Sequence, residues 1–201
     1  MTIINFELNG FKYQLDDQTF QFYGEPNAPE TSQDILATVL KAYRDKLPIP
    51  TKLNVGCGFR PFSGYLNLDY NTRCKPDVLR NLDEGLPFDD NKFEEIYTSH
   101  VIEHVKDVFF FIYEIWRVSK PGAKVKIICP NGHNLFSSIQ PDHLRQISYD
   151  YFERWRPEHR SVQDELKQTR GAYFNIISKE IFNEERELKF ELEVVKEEKN
   201  G

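Results

Sequence analysis

The sequence predicts an α/β fold: a mostly parallel sheet that ends in an antiparallel edge pair and is preceded by a small β-meander. Three observations predict it. Residues 53–69, Leu-Asn-Val-Gly-Cys-Gly-Phe-Arg-Pro-Phe-Ser-Gly-Tyr-Leu-Asn-Leu-Asp, read as strand, glycine turn, strand and closing acid. From there to Pro130, short apolar strands flank an apolar helix. Near the end, Leu188, Phe190, Leu192 and Val194 alternate with Lys189, Glu191 and Glu193, the pattern of a strand buried on one face.

Composition sets the outer bounds. At 201 residues, with 39% apolar and 14% aromatic content, the chain suits one globular α/β domain with appendages. No apolar run approaches the roughly 20 residues of a membrane span, and no basic-then-apolar leader opens the chain. Cys57, Cys74 and Cys129 are odd in number and widely spaced, without metal-ligand pairs. A reducing, cytoplasmic setting is expected, and no metal site. The net charge is −6, and between Glu180 and Glu198 eight acids face three bases. That acidic end reads as a solvated face. Nothing resembles a nucleic-acid footprint, so neither nucleic acid nor membrane is expected as a partner.

Taken in order, Ile4, Phe6 and Leu8 alternate before Asn9-Gly10, and Phe11, Tyr13 and Leu15 alternate after it. Alternation about Asn-Gly is a strong hairpin signal, and Phe20 and Phe22 extend it to a meander. Glu25–Pro29 is a proline-bounded linker. Thr31–Leu47 carries Ile35, Leu36, Val39, Leu40 and Tyr43 at helical spacing, with Thr31 or Ser32 as cap and Pro48 as stop. Strands come next at Leu53–Val55, Leu66–Asp69 and Asp77–Leu79, and a fourth at Glu95–Thr98. Val108–Val118 is apolar on nearly every face, so a largely buried helix is expected. Lys120-Pro121-Gly122 turns the chain into a strand through Val125, Ile127 and Cys129. Residues 131–170 are irregular, aromatic and polar. Acids and bases balance at six each between Pro141 and Arg170, so its arginines are expected in structural pairs. Ala172–Ser178 and Leu188–Val194 make the closing antiparallel pair.

The site reading rests on residues 53–69. Gly56 and Gly58 allow a sharp bend and a close ligand approach. Asp69, at a strand's carboxyl end beside that turn, is placed to accept hydrogen bonds from a ribose diol. A bare Gly-x-Gly can also be only a tight turn. Its setting within the chain is more specific. The blocks "LNVGCG", "YLNLD", "NLDEGLPFDDNKFEEIYTSHVIEHV" and "EIWRVSKPGAKVKIICPN" occur in an order that resembles the class I S-adenosylmethionine-dependent methyltransferases, in particular a small bacterial-type group with a short first crossover. The resemblance covers roughly residues 50–145.

The resemblance implies a Rossmann-like methyltransferase fold with a seven-stranded sheet, S-adenosylmethionine as cofactor, and methyl transfer to a small-molecule acceptor. It assigns residues 1–30 to the meander and linker and 31–201 to one methyltransferase domain, with 131–170 as acceptor lid. Cofactor contacts are expected from Asn54, Gly56, Cys57, Gly58, Asp69, Leu82, Asp83, Ser99 and His100. Asp83 stands where the family accepts the adenine amino group, and Leu82 where an apolar side chain flanks the ring. Three departures matter. Asn54 replaces the usual acid that helps hold the cofactor's ammonium group. Phe59-Arg60-Pro61 replaces the third glycine. Thr98-Ser99-His100-Val101 stands where nitrogen methylators carry Asn-Pro-Pro-aromatic, which favours oxygen as the acceptor atom.

His104, then His143, are the candidates to orient or deprotonate the acceptor, with Asp142 placed to fix the His143 tautomer. Glu103-His104 could equally brace the loop. A catalytically silent cofactor-binding module is the alternative function, and a homo-oligomer is left open.

Overall fold

The computed structural model describes residues 3–8, 11–16, 22–24, 50–160 and 169–196. Two compact units divide the chain between Ile49 and Pro50. The first contains a three-stranded antiparallel sheet, β1 (Ile3–Leu8), β2 (Phe11–Asp16) and β3 (Phe22–Gly24), in that order. Leu8 pairs with Phe11, as a hairpin about Asn9-Gly10 requires. The turn itself, the linker and the helix expected over Thr31–Leu47 lie outside the described residues.

The second unit is built on seven strands: β4 (Lys52–Val55), β5 (Leu66–Asp69), β6 (Val78–Leu79), β7 (Phe93–Ser99), β8 (Ser119–Pro130), β9 (Tyr173–Phe182) and β10 (Glu187–Val195). They lie in the order β6-β5-β4-β7-β8-β10-β9. Pairs from β6 across to β8 are parallel, and β10 is antiparallel to both β8 and β9. The sheet is therefore mostly parallel with an antiparallel edge pair, as the alternation near the carboxyl end predicts.

The order fixes where a ligand can bind. From β4 the chain moves outward through β5 to β6, then returns to the other side of β4 as β7. Loops leaving β4 and β7 thus diverge, and a crevice opens at their carboxyl ends. The sheet core is apolar on its facing rows: Leu53, Val55, Leu68, Ile96, Val125 and Ile127 are all buried. Helix α1 (Val108–Val118) packs on it through Phe111, Ile112, Ile115 and Val118. Asp107 caps the helix by accepting a hydrogen bond from the Phe110 N–H at 2.9 Å.

One element differs from expectation. Lys120-Pro121-Gly122 does not separate helix from strand; it lies inside β8, where the pairing with β7 shifts register. Gly122, at φ 74°, takes up the irregularity. Residues 131–160 form the one-turn helix α2 (Leu135–Ser138) and two short 3-10 turns at Tyr151–Trp155 and Pro157–His159. Phe152 and Trp155 from this segment are buried against Phe190 and the core. Its aromatics are thus largely structural.

Candidate active site

The glycine turn forms because β4 ends where the next two amides have one acceptor in reach. Gly56 and Cys57 both donate to Leu68 O, at 2.8 and 3.0 Å, which folds the loop back onto β5. Gly56 and Gly58 adopt positive φ of 69° and 51°. A side chain at Gly56 would meet Val101 Cγ2 at 2.2 Å, whereas a Cβ at Gly58 would meet nothing within 4 Å. Gly56 is a packing requirement, and Gly58 leaves open space.

Asp69 stands directly below that space. Its Oδ2 accepts from Gly58 N–H at 2.9 Å and its Oδ1 from Asn71 N–H at 2.8 Å. Two fixed donors hold the carboxylate in one orientation and leave lone pairs on both oxygens for a ligand diol. Asn54 is buried and donates through Nδ2 to Asn67 Oδ1 at 3.0 Å and Arg60 O at 3.4 Å. Its amide braces the loop from beneath.

These residues open onto a cavity of about 1000 Å³, lined on one side by Gly56, Cys57, Gly58 and Asp69 and on the other by Ser99, His100 and His104. Asn54, Leu82 and Asp83 also reach it. Every residue expected at the cofactor is therefore in one cavity. Asp83 is held by the Lys106 N–H at 3.1 Å and the Lys106 ammonium at 3.3 Å. Phe62, Tyr70 and Tyr97 line the cavity too, with no motif in the sequence to mark them. Tyr97 shares its strand face with Ser99, a signal that period-two alternation carries. Phe62 and Tyr97 pack ring to ring at 4.8 Å.

The Cys57 thiol is pushed up to about 11, first by burial and next by the Asp69 carboxylate. It stays a neutral thiol and is no nucleophile. His100, in a left-handed backbone conformation at φ 55°, has its ring between two carboxylates. Nδ1 is 3.4 Å from Glu103 Oε1, in ion-pair range but not aligned as a hydrogen bond, and Nε2 is 3.0 Å from Glu187 Oε1. Glu103 foremost, and then Glu187, hold the His100 pKa above the ordinary imidazole value against the opposing effect of burial.

The two candidate catalytic histidines come together although 39 positions separate them in sequence. Their rings meet edge to face at 5.1 Å. His104 lines the cavity, whereas His143 is not among its lining residues. Asp142 orients His104 rather than His143, because its carbonyl lies 3.0 Å from His104 Nδ1 and its carboxylate 3.5 Å. His143 Nδ1 instead donates to Ser137 O at 3.0 Å. The segment is clamped in place by Leu144 N–H to Glu103 O at 2.8 Å and by Arg145 to Ile102 O and Lys106 O at 2.8 and 3.0 Å.

An open α/β sheet with this strand order binds ligands in the crevice at the carboxyl ends of its strands, where the glycine turn after β4 and the acid closing β5 lie. Residues 53–127 match the family described as methyltransferase domain. Over these residues the chain is similar to the class I S-adenosylmethionine-dependent methyltransferases, whose cofactor is S-adenosylmethionine.

Among curated relatives, norajmaline N-methyltransferase of Rauvolfia serpentina is 28% identical over 122 residues, covering 47% of this chain and 42% of the relative. A chloroplastic protein of Oryza sativa subsp. japonica, named for tocopherol O-methyl transfer, is 26% identical over 142 residues, covering 57% and 39%. The chain thus spans about two fifths of the length of these relatives. In fold it is similar to a chain of the complex between the Haloferax volcanii Trm112 methyltransferase activator and a methyltransferase. That likeness has a TM-score of 0.50 at 14% identity and covers 82% of this chain and 92% of the other. No helix among the described residues is long and apolar enough to cross a membrane.

Proposed function

We propose that this protein transfers a methyl group from S-adenosylmethionine to an oxygen of a small-molecule acceptor. The observation that carries the reading is the Asp69 carboxylate, aligned by two backbone amides beside the open Gly58 backbone in a cavity of about 1000 Å³. The residues present suit the cofactor: a fixed acid for a ribose diol, a side-chain-free stretch of backbone, and Asp83 with Leu82 at the far end for an adenine edge and face. When bound, S-adenosylmethionine supplies an electrophilic methyl on a sulfonium.

What the chain itself does is position and desolvate. The glycine turn and Asp69 would hold one reactant, and the wall of Ser99, His100 and His104 the other. His104 donates through Nδ1 to a backbone carbonyl, which can only accept, so the neutral ring keeps its lone pair on Nε2. Oxygen is favoured because Thr98-Ser99-His100-Val101 follows β7 in place of a nitrogen-binding Asn-Pro-Pro-aromatic turn. The two relatives, one named for nitrogen and one for oxygen, lend weight to methyl transfer but not to either atom. Three free, buried cysteines support a reducing, cytoplasmic setting.

Calorimetry with S-adenosylmethionine and S-adenosylhomocysteine tests the first half of the proposal. Turnover of labelled methyl donor on pooled hydroxylated metabolites tests the second. Absence of binding by either nucleoside overturns the reading.

A further inference from the structure

We propose that Glu103, His104 and His143 form a divalent-cation site on the acceptor wall of the cavity. The inference extends the methyltransferase reading but rests on groups that cofactor binding does not use. One ligand atom from each of the three residues lies within 4.8 Å of the others. His104 Nε2 and Glu103 Oε1 are already 3.9 Å apart. Ligands held at about 2.1 Å from a common ion stand about 3–4 Å apart, so contraction by about 1–2 Å closes the site.

Two independent features point to a cation. The first is the tautomer of both rings. His104 Nδ1 faces the Asp142 carbonyl and His143 Nδ1 the Ser137 carbonyl, each at 3.0 Å. Carbonyl oxygens only accept, so both Nδ1 atoms carry a proton, and each ring in its neutral form keeps its lone pair on Nε2. Metal-binding histidines are held in this way, with the second nitrogen anchored to a carbonyl or carboxylate.

The second is Glu103. It is 1% exposed, and neither carboxylate oxygen has a hydrogen-bond partner. A carboxylate buried without donors is costly, and natural proteins offset that cost with a counter-charge or a metal. The His100 ring approaches only Oε1, at 3.4 Å, and leaves Oε2 with nothing. The His100 imidazole is a counter-charge for Oε1 alone, and a dication between Glu103 and the two imidazoles supplies a partner for Oε2.

Two imidazoles and one carboxylate suit zinc, cobalt, manganese or ferrous iron better than magnesium or calcium, which prefer all-oxygen shells. Three protein ligands leave at least one position open. His104 and Asp142 both line the cavity, so that position is accessible to an acceptor oxygen. The site therefore favours acceptors with an acidic or chelating hydroxyl.

The test is titration of tag-free, chelator-treated full-length protein with Co²⁺ and Zn²⁺ alone, without nucleoside. We expect one equivalent of Co²⁺ to bind, with visible absorption bands of a nitrogen–oxygen site that Zn²⁺ displaces. Glu103→Gln and His143→Ala should each weaken this at least tenfold while leaving S-adenosylhomocysteine affinity unchanged; His159→Ala, far along the chain, should leave it intact. His143 is only half-buried, so its variant stays informative if removing the Glu103 charge perturbs folding. Binding that is substoichiometric, or equal in wild type and the His143 variant, overturns the site. Because the nucleoside is measured separately, loss of cation binding and loss of cofactor binding are distinct results.

Discussion

The Gly58 amide donates to Asp69 Oδ2 at 2.9 Å, linking the glycine turn after β4 to the acid that ends β5. Two strands adjacent in the sheet thus share one rigid corner, and the cavity-facing carboxylate cannot swing away. Replacing Asp69 by Ala removes an acceptor whose bonds, being to a charged group, are worth about 1.5–3 kcal/mol. Calorimetry should show S-adenosylmethionine binding weakened roughly 30-fold, equivalent to about 2 kcal/mol. An unchanged affinity with an intact circular dichroism spectrum would remove Asp69 from the site.

The two glycines should fail differently. Gly56→Ala places a methyl 2.2 Å from Val101 Cγ2 at a φ of 69°. The left-handed backbone alone costs about 1–2 kcal/mol, and the overlap adds to it, so the melting temperature should fall by more than about 5 °C. Gly58→Ala meets no protein atom within 4 Å. It should lose only the backbone cost in stability but intrude on the ligand, so its affinity falls more than its melting temperature. Equal thermal losses in the two variants would contradict this division.

The turn and its acid were legible in the sequence because they are local. Apolar strands of period two bracket the glycines, and Asp69 is the acid that closes the second strand. Helix α1 was legible for the same reason, as a mostly apolar run broken only by Glu114 and Arg117. The cluster of Glu103, His104 and His143 was not. His143 reaches His104 only through the clamp of Leu144 and Arg145 onto residues 102–106, a pairing of an irregular segment with a loop that no periodicity encodes. The burial of Glu103 was hidden too, since an acid beside a histidine reads as a surface brace until its surroundings are known.

A pH dependence arises from Glu114 and Arg117. Arg117 pairs with both Glu114 oxygens at 2.7 and 2.8 Å and also bonds Leu86 O and Phe88 O. The Leu86 N–H donates to Glu114 at 2.7 Å, so the loop after Asp83 is tied to α1. Burial pushes the Glu114 carboxyl up, but Arg117 and the Leu86 amide outweigh it and hold the pKa below the ordinary value. The folded state therefore binds this proton less readily than the unfolded chain. Its contribution is complete above the unfolded glutamate value of about 4.3 and is lost as pH falls through the lower folded value. Glu114→Ala should cost roughly 1–3 kcal/mol at pH 7, since the Leu86 N–H loses its acceptor while Arg117 keeps Asp90 at 2.8 Å. It should also flatten the acid limb of stability measured by urea denaturation. An acid limb as steep as that of wild type would show that the pair does not govern it.

The last prediction separates two roles for the histidines. If His104 Nε2 removes the acceptor proton unaided, His104→Ala costs about 10²–10⁴ in rate. His143, outside the cavity, should then matter little. If both rings hold one cation, the two substitutions remove the same object, and their losses should be similar and far from additive in the double variant. The geometry favours the second outcome, because His143 Nε2 has no cavity contact to account for a direct catalytic effect, yet its tautomer is set as strictly as that of His104. The measurement is kcat at saturating cofactor for both single variants and the double, in chelated buffer and with one equivalent of Zn²⁺ restored. Zinc should raise the wild-type rate and leave all three variants unmoved. A loss below about tenfold in both single variants, with cofactor affinity intact, would leave positioning by the rest of the cavity as the whole mechanism.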